Sequence, residues 1–261
     1  MDERKERERR LQNERFSRNH GSRGSVDRFY AITNRSHEYF AKRLAADCQG
    51  KRVLEIGCGQ GDSVLRLARQ GAIVTGIDLS GVAIDNARRN AARMGITDAT
   101  FKEMDAEQLD FAAGSFDIVC GGAILHHLQV DKAFAQIARL LAPGGYALFI
   151  EPLGYNPFIN LYRRLTPSQR TPDEHPLVQA DLVLSRHHFG ETKILYYYLT
   201  ALLALPFVRT PLAKQMVSFF NAVDTLLFAR VPSLRRYAWI MVLEFARPQS
   251  VASEAEVLRA S

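Results

Sequence analysis

The run Val53-Leu54-Glu55-Ile56-Gly57-Cys58-Gly59-Gln60-Gly61 sets three glycines at alternating positions directly after a short apolar segment. Glycine lets a backbone pass close to a ligand, and a helix opening after such a turn offers free N–H groups to a carboxylate or phosphate. Acids recur at the ends of the next apolar segments. Asp78 stands where ribose hydroxyls would lie, and Asp105-Ala106 follow a third segment. In an open α/β sheet, ligands collect at the carboxyl ends of the strands, which is where these residues fall. Glu55 lies within the first segment, and a carboxylate buried beneath the turn needs partners or a ligand charge. His126-His127 follow a fourth segment and Glu151 ends a fifth. Histidine titrates near neutrality, so both are candidate bases, although at least one is expected to cap or fill the following helix. Glu151 reads equally as a base or as an ion-pair partner.

The elements that must hold these residues can be read from hydrophobic periodicity. Apolar strand patterns are expected at 52–56, 73–77, 100–104, 116–120 and 146–150, alternating with helices at 62–70, 81–94 and 131–141. Gly95 ends the second of these helices, and Pro143-Gly144-Gly145 reads as a turn. Repeated strand–helix units predict an α/β fold with a mostly parallel sheet and helices on both faces. After residue 151 the rhythm changes. Five prolines between 151 and 176 predict loop, with a short helix over 158–165. A sixth strand is expected at 189–198, apolar helical segments broken by Pro206 and Pro211 at 199–230, and a last strand at 237–245. Residues 1–16 alternate in charge and read as a solvated helix or a disordered arm, and 26–47 carry at least one amphipathic helix.

A glycine-rich turn also serves nicotinamide cofactors, and Asp78 suits either ligand. The G-x-G-x-G spacing, with Asp62 where the dinucleotide fingerprint wants a small residue, argues against them, as do Glu55 and the acid after the third strand. At this point the chain resembles the class I S-adenosylmethionine-dependent methyltransferases, in particular the small-molecule branch that includes the ubiquinone/menaquinone-biosynthesis enzymes. The resemblance rests on Val53 to Gly61, Val74-Thr75-Gly76-Ile77-Asp78-Leu79-Ser80, Met104-Asp105-Ala106, Phe116-Asp117-Ile118-Val119 with Leu125-His126-His127-Leu128, and Leu141-Ala142-Pro143-Gly144-Gly145. It implies a Rossmann-like seven-stranded sheet carrying a helical cap. It also implies S-adenosyl-L-methionine as cofactor and S-adenosyl-L-homocysteine as product. Gly57, Cys58, Gly59 and Gly61 would wrap the methionine portion, Asp78 the ribose, and Leu79 would lie against adenine. Asp105 and the Ala106 backbone would meet the adenine amine, and backbone near Gly121-Gly122 the methionine ammonium. Glu55 would hold the loop or meet that ammonium. His127 is preferred over His126 and Glu151 as the group facing the acceptor. Tyr30 would close over the cofactor, and Tyr155 and Asn156 would contact the acceptor.

These readings give a charged arm over 1–25, a methyltransferase domain over 26–248 and a tail over 249–261. Within the domain the core is 50–152, with acceptor-cap insertions at 153–188 and 199–236. The expected acceptor is a small hydrophobic molecule of quinone, prenyl, polyketide or lipid-like type, methylated on oxygen or carbon. A nicotinamide-dependent oxidoreductase and a non-catalytic methyltransferase-like partner protein are the alternatives. The net charge of +6 is shared with the arm and forms no basic stripe with interleaved aromatics, so no nucleic-acid partner is expected. Cys48, Cys58 and Cys120 have neither disulfide nor zinc spacing, and no metal is expected. The apolar stretches at 196–208 and 216–228 read as core of the cap, or else as an acceptor pocket, a dimer face or a peripheral membrane contact. An opening Met-Asp-Glu-Arg-Lys-Glu-Arg lacks an apolar signal region, so a cytoplasmic protein is expected.

Overall fold

A computed structural model describes residues 3–17, 32–166 and 175–249. In chain order the longer elements are α1 (Glu3–Ser17), α2 (Asn34–Asp47), β1 (Arg52–Ile56), α3 (Asp62–Arg69), β2 (Ile73–Asp78), α4 (Gly81–Met94), β3 (Ala99–Glu103), β4 (Phe116–Gly122) and α5 (Val130–Leu140). They continue through β5 (Leu141–Pro152), α6 (Pro157–Leu165), α7 (Gln179–Leu184), β6 (Phe189–Tyr197), α8 (Ala213–Arg230) and β7 (Ile240–Pro248). Short 3-10 turns cover Leu125–His127, Thr200–Phe207 and Pro232–Tyr237.

The seven strands form one sheet in the order β3-β2-β1-β4-β5-β7-β6. The first five strands run parallel, and β7 is antiparallel to both β5 and β6. Central strands are apolar on both faces because both are covered. Val53, Val74, Ile118 and Leu148 pack under α2, α3 and α4, while Leu54, Ile77, Val119 and Phe149 pack against α5 through Phe134 and Ile137. The strand order switches sides between β1 and β4, so the glycine turn opens at the switch point of the sheet.

Helix boundaries follow local chemistry. The Ser80 hydroxyl accepts the Ala83 N–H at the start of α4, and Gly95 closes that helix in the left-handed conformation at φ 63°. The expected turn at Pro143-Gly144-Gly145 lies inside β5 as a bulge. Phe116 faces Leu141 whereas Ile118 faces Tyr146, so β5 spends extra residues there. Gly145 allows this, because a Cβ would stand 2.8 Å from the Asp117 carbonyl oxygen. The last strand begins at Ile240 rather than at 237, because Pro232–Tyr237 coils into a 3-10 turn. Tyr198, expected inside the sixth strand, lies just beyond it at φ 65°, where its hydroxyl accepts the Ser36 N–H at 2.7 Å.

The charged arm is a helix over Glu3–Ser17, and it is docked rather than solvated. It buries no residue, so ion pairs and single side-chain contacts hold it, as described below. Phe29 and Tyr30 lie outside the described residues, so the placement expected for Tyr30 is untested.

Gly121 fixes the spacing of β1, β4 and β5. A Cβ at this position would stand 2.8 Å from the Ile56 carbonyl oxygen and 2.9 Å from the Phe149 ring. Gly121→Ala is expected to destabilise the protein by about 1–3 kcal/mol through overpacking, read as a lowered midpoint in urea unfolding with an unchanged slope.

Candidate active site

The C-terminal ends of β1, β2, β3 and β4 converge on one edge, and each exit is pinned by a carboxylate. At the first exit the chain turns through Gly57, Gly59 and Gly61 at φ 72°, 52° and 84°, which side-chain-bearing residues rarely adopt. The Gly57 and Cys58 N–H groups donate to the Ile77 carbonyl, and Gly59 donates to Asp78 Oδ2 at 2.9 Å. Asp78 Oδ1 accepts the Ser80 N–H at 2.9 Å. One carboxylate therefore ties the glycine turn to the end of β2. A carboxylate has about four lone-pair directions, and these two bonds leave capacity for ligand hydroxyls. Burial pushes the Asp78 carboxyl up, opposed by the N–H groups of Ser80 and Gly59. Leu79 beside it is half-buried.

Beneath the turn lies Glu55, 8% exposed, beside Ser63 at the start of α3. Burial raises its carboxyl from the ordinary 4.5 to about 8. Its Oε2 has no hydrogen-bond partner, an acceptor that a cationic ligand group would satisfy. The Cys58 side chain packs down onto the sheet. Its sulfur lies 2.9 Å from where a Gly76 Cβ would stand, and burial pushes its thiol far up, so only its backbone can meet a ligand.

The third exit carries Asp105 and Ala106, both half-buried, and Asp105 Oδ1 accepts the Glu107 N–H at 2.9 Å. Glu107, which the sequence reading passed over, is the buried hub here. Its Oε1 accepts the Gln129 N–H at 2.8 Å and Arg4 Nη2 at 2.5 Å, and its Oε2 pairs with Lys5 Nζ at 2.9 Å. Burial would raise the Glu107 carboxyl, but the Gln129 N–H and the two cations outweigh it and hold it at about 2. Lys5 also pairs with Asp105 Oδ2 at 2.5 Å, and Arg4 Nη1 donates to the His127 carbonyl at 2.8 Å. At its other end α1 lays Phe16 within 3.4 Å of the position of a Gly59 Cβ, and Ser80 donates to Asn13 Oδ1 at 2.6 Å. Helix α1 thus roofs the crevice from Gly59 to Asp105.

At the fourth exit Gly122 and Ala123 are exposed, and Ala123 takes a positive φ of 54°. Glu151, 1% exposed, ends β5 and holds this loop. Its Oε1 accepts the Ile124 and Leu125 N–H groups, each at 2.8 Å, and its Oε2 lies 2.7 Å from His126 Nδ1. Both residues are buried, so the pair positions the loop. His127 sits at the rim, with Nδ1 3.6 Å from Glu8 of α1 and its ring 4.2 Å from that of His126. Asn156, expected to contact the acceptor, is instead committed to the fold. It is fully buried, its Oδ1 accepts the Phe158 and Ile159 N–H groups to cap α6, and its Nδ2 donates to the Tyr237 carbonyl. Tyr155, its neighbour, is 39% exposed and free of such a commitment in the cap. Asp117 pairs with Arg52 at the opposite edge of the sheet and plays no part in the site.

Residues 53–145 match the family model described as a methyltransferase domain. The match shows this segment to be similar to that family. Among curated relatives, the fatty-acid O-methyltransferase of Mycolicibacterium smegmatis is 38% identical over 116 residues, spanning 43% of this chain and 41% of that protein. The ubiquinone biosynthesis O-methyltransferase of Paracidovorax citrulli is 39% identical over 106 residues, spanning 40% and 44%. The chain thus spans under half the length of these curated relatives. Among solved structures, a phosphoethanolamine N-methyltransferase of Haemonchus contortus in complex with S-adenosyl-L-methionine superposes with a TM-score of 0.64 at 19% identity, over 91% of this chain and 60% of that one. Magnesium protoporphyrin IX methyltransferase of Synechocystis gives 0.61 at 16% identity, over 94% and 99%. These likenesses establish the fold. The matched segment carries the four exits, and Glu151, which pins the fourth, lies just beyond it.

Because α1 buries nothing and is held through Arg4 and Lys5, R4A/K5A is expected to expose its basic residues to trypsin at least about tenfold faster than the parent chain. Acid should act in the same direction. The folded Glu107 carboxyl lies below the ordinary 4.5, so the stability it contributes is complete above that value and is lost as pH falls toward about 2.

Proposed function

We propose that the chain transfers a methyl group from S-adenosyl-L-methionine to an oxygen of a small hydrophobic acceptor, leaving S-adenosyl-L-homocysteine. The observation that carries this is the set of acids at three neighbouring strand exits, with Glu55 Oε2 unpartnered beneath the glycine turn. A ligand with a cationic amine, a ribose and an adenine matches that set one group to one acid. Glu55 lies on the amine side, Asp78 takes ribose hydroxyls and Asp105 takes the adenine amine, once Lys5 yields it. The bound cofactor supplies an already activated methyl group on a sulfonium.

What remains for the protein is alignment, exclusion of water and the handling of one proton. Helix α1 and Phe16 close the crevice above Gly59. Glu151 and His126 fix the loop that carries His127, and His127 Nε2 accepts the proton from an acceptor hydroxyl. Oxygen is favoured over carbon because the relatives whose names mention a reaction are O-methyltransferases. A hydrophobic acceptor agrees with the apolar segments of the cap around 199–208 and 213–230.

Titration with S-adenosyl-L-homocysteine and, separately, with NADH tests the reading. Micromolar binding of the first and none of the second is expected, and the reverse would overturn it. Asp78→Ala is expected to weaken that binding by about 10- to 100-fold, the worth of a lost charge-assisted hydrogen-bond pair. The Glu55 carboxyl must ionise to meet an amine. Affinity is therefore expected to fall by up to about tenfold per pH unit below about 8, and Glu55→Gln should flatten that slope. Once an acceptor is found with labelled cofactor and fractionated extract, His127→Ala should lower kcat by on the order of 100-fold with cofactor affinity retained.

A further inference from the structure

Ten of the twelve large hydrophobic side chains that stand exposed among the described residues lie between Tyr155 and Val231. They are arranged rather than scattered. On α6, Phe158, Leu161 and Leu165 occupy successive turns of one face at 63%, 57% and 72% exposure, and only Ile159 of that helix is buried. Along α8 and its N-cap, Leu212, Phe219 and Leu226 repeat every seven residues, also outward. The same helix turns Asn221 and Asp224 inward beside Phe228. Met216, Val217, Phe220 and Phe228 also pack against the core, so α8 is apolar on both sides and carries a second stripe that faces outward. The two helices meet through the turn at Pro232–Tyr237. Arg235 Nε donates to the Phe228 carbonyl at 2.9 Å, and Asn156, the cap of α6, donates to the Tyr237 carbonyl at 2.8 Å.

The charges of these segments have one sign. Arg164, Arg209, Lys214, Arg230, Arg235 and Arg236 are exposed across α6, the linking turns and α8. Among the described residues of α6, α8 and the segments 199–212 and 231–237, the one acid is Asp224. It is 2% exposed and is spent on the N–H groups of Leu199, Thr200 and Ala201. A second copy of the chain is a poor occupant, because a two-fold contact would set these cations against themselves. An anionic lipid surface is complementary to both features. Acyl chains take the apolar stripes, headgroup phosphates take the guanidinium rim, and long basic side chains reach from one to the other. No helix of the described residues is long and apolar enough to cross a membrane, so the contact would be lateral.

We propose that the outward faces of α6 and α8, with the arginines of the turn between them, form a docking surface for an anionic phospholipid bilayer. The inference does not depend on the methyl-transfer reading, since none of these side chains belongs to the cofactor crevice. The face does begin at Asn156, shortly after Glu151 at the end of β5, so it adjoins the candidate site along the chain.

The test is co-sedimentation of the full chain with phosphatidylcholine vesicles, with and without about one-third phosphatidylglycerol. Binding to the anionic vesicles only, reduced by raised salt, is the expected result. F219S/L226S should reduce the bound fraction by about tenfold or more, and R230Q/R236Q by about fivefold per residue removed. Both pairs are exposed, so circular dichroism and the unfolding midpoint should stay near those of the parent. Should one pair misfold, the other carries the test. Failure to bind anionic vesicles would overturn the proposal. So would light scattering that shows a dimer dissociated by F219S/L226S, because a second copy would then occupy the face. Binding of S-adenosyl-L-homocysteine in the same preparation separates failure here from failure of the catalytic reading.

Discussion

A parallel strand that stops at the carboxyl edge of a sheet leaves the N–H groups of the following turn without ladder partners, and a buried N–H must be paired. This chain meets that demand with carboxylates. Asp78 accepts from Gly59 and Ser80, Asp105 from Glu107, Glu107 from Gln129, and Glu151 from Ile124 and Leu125. The bonds from Asp78 to Gly59, Glu107 to Gln129 and Glu151 to Ile124 and Leu125 join one exit loop to another, so the loops at this edge are linked through acids. The arrangement concentrates negative charge where a cationic, hydroxyl-bearing ligand would lie. It also explains why the acids divide into two kinds. Glu107 and Glu151 spend their oxygens on protein donors, whereas Asp78 keeps capacity and Glu55 keeps an oxygen with no partner at all.

The cations of α1 belong to the same balance. With Asp105 and Glu107 side by side at one exit, some positive charge must sit near them, and Lys5 and Arg4 provide it from a helix that buries no residue. Partly exposed ion pairs contribute modestly and reversibly. A ligand that brings its own donor to Asp105 therefore competes with Lys5 directly, while Glu107 can keep Arg4. The roof over the crevice is thereby coupled to what lies beneath it, through two acids of which only one need change partners.

How much of this was legible in the sequence follows from which forces act locally. The strand–helix alternation over 52–150 and the stop at Gly95 depend on residues within a few positions of one another, and both are found. Asp78 and Glu55 were legible because glycine spacing fixes where a turn must be. Glu107 was not, although it stands two residues after Asp105. Its role comes from Arg4 and Lys5, about a hundred positions away, and a run of alternating charge gives no sign of a partner at that distance. Asn156 was misread for the opposite reason. Asn-Pro followed by an apolar run is itself a helix-start pattern, and that local chemistry claims the side chain before any ligand can. The turn expected at 143–145 became a bulge because Leu141 before it and Tyr146 after it both pair with β4, which keeps the segment within the strand.

Helix α8, apolar on both its inward and its outward side, shows the limit of periodicity as a guide. Its apolar residues predict a helix correctly, but not which side faces inward, because inward is decided by what the core lacks. Here the loop at 199–201 presents three N–H groups that need an acceptor, and Asp224 supplies it from α8. Turning Asp224 inward rotates Leu212, Phe219 and Leu226 outward. Leaving such side chains exposed costs on the order of 1.5–3 kcal/mol each relative to burial. Re-orienting the helix would instead strand a carboxylate and three backbone donors, a heavier loss. The fold thus settles on an exposed apolar stripe edged by arginine, and the same compromise that satisfies the loop leaves the surface suited to an anionic, oily partner.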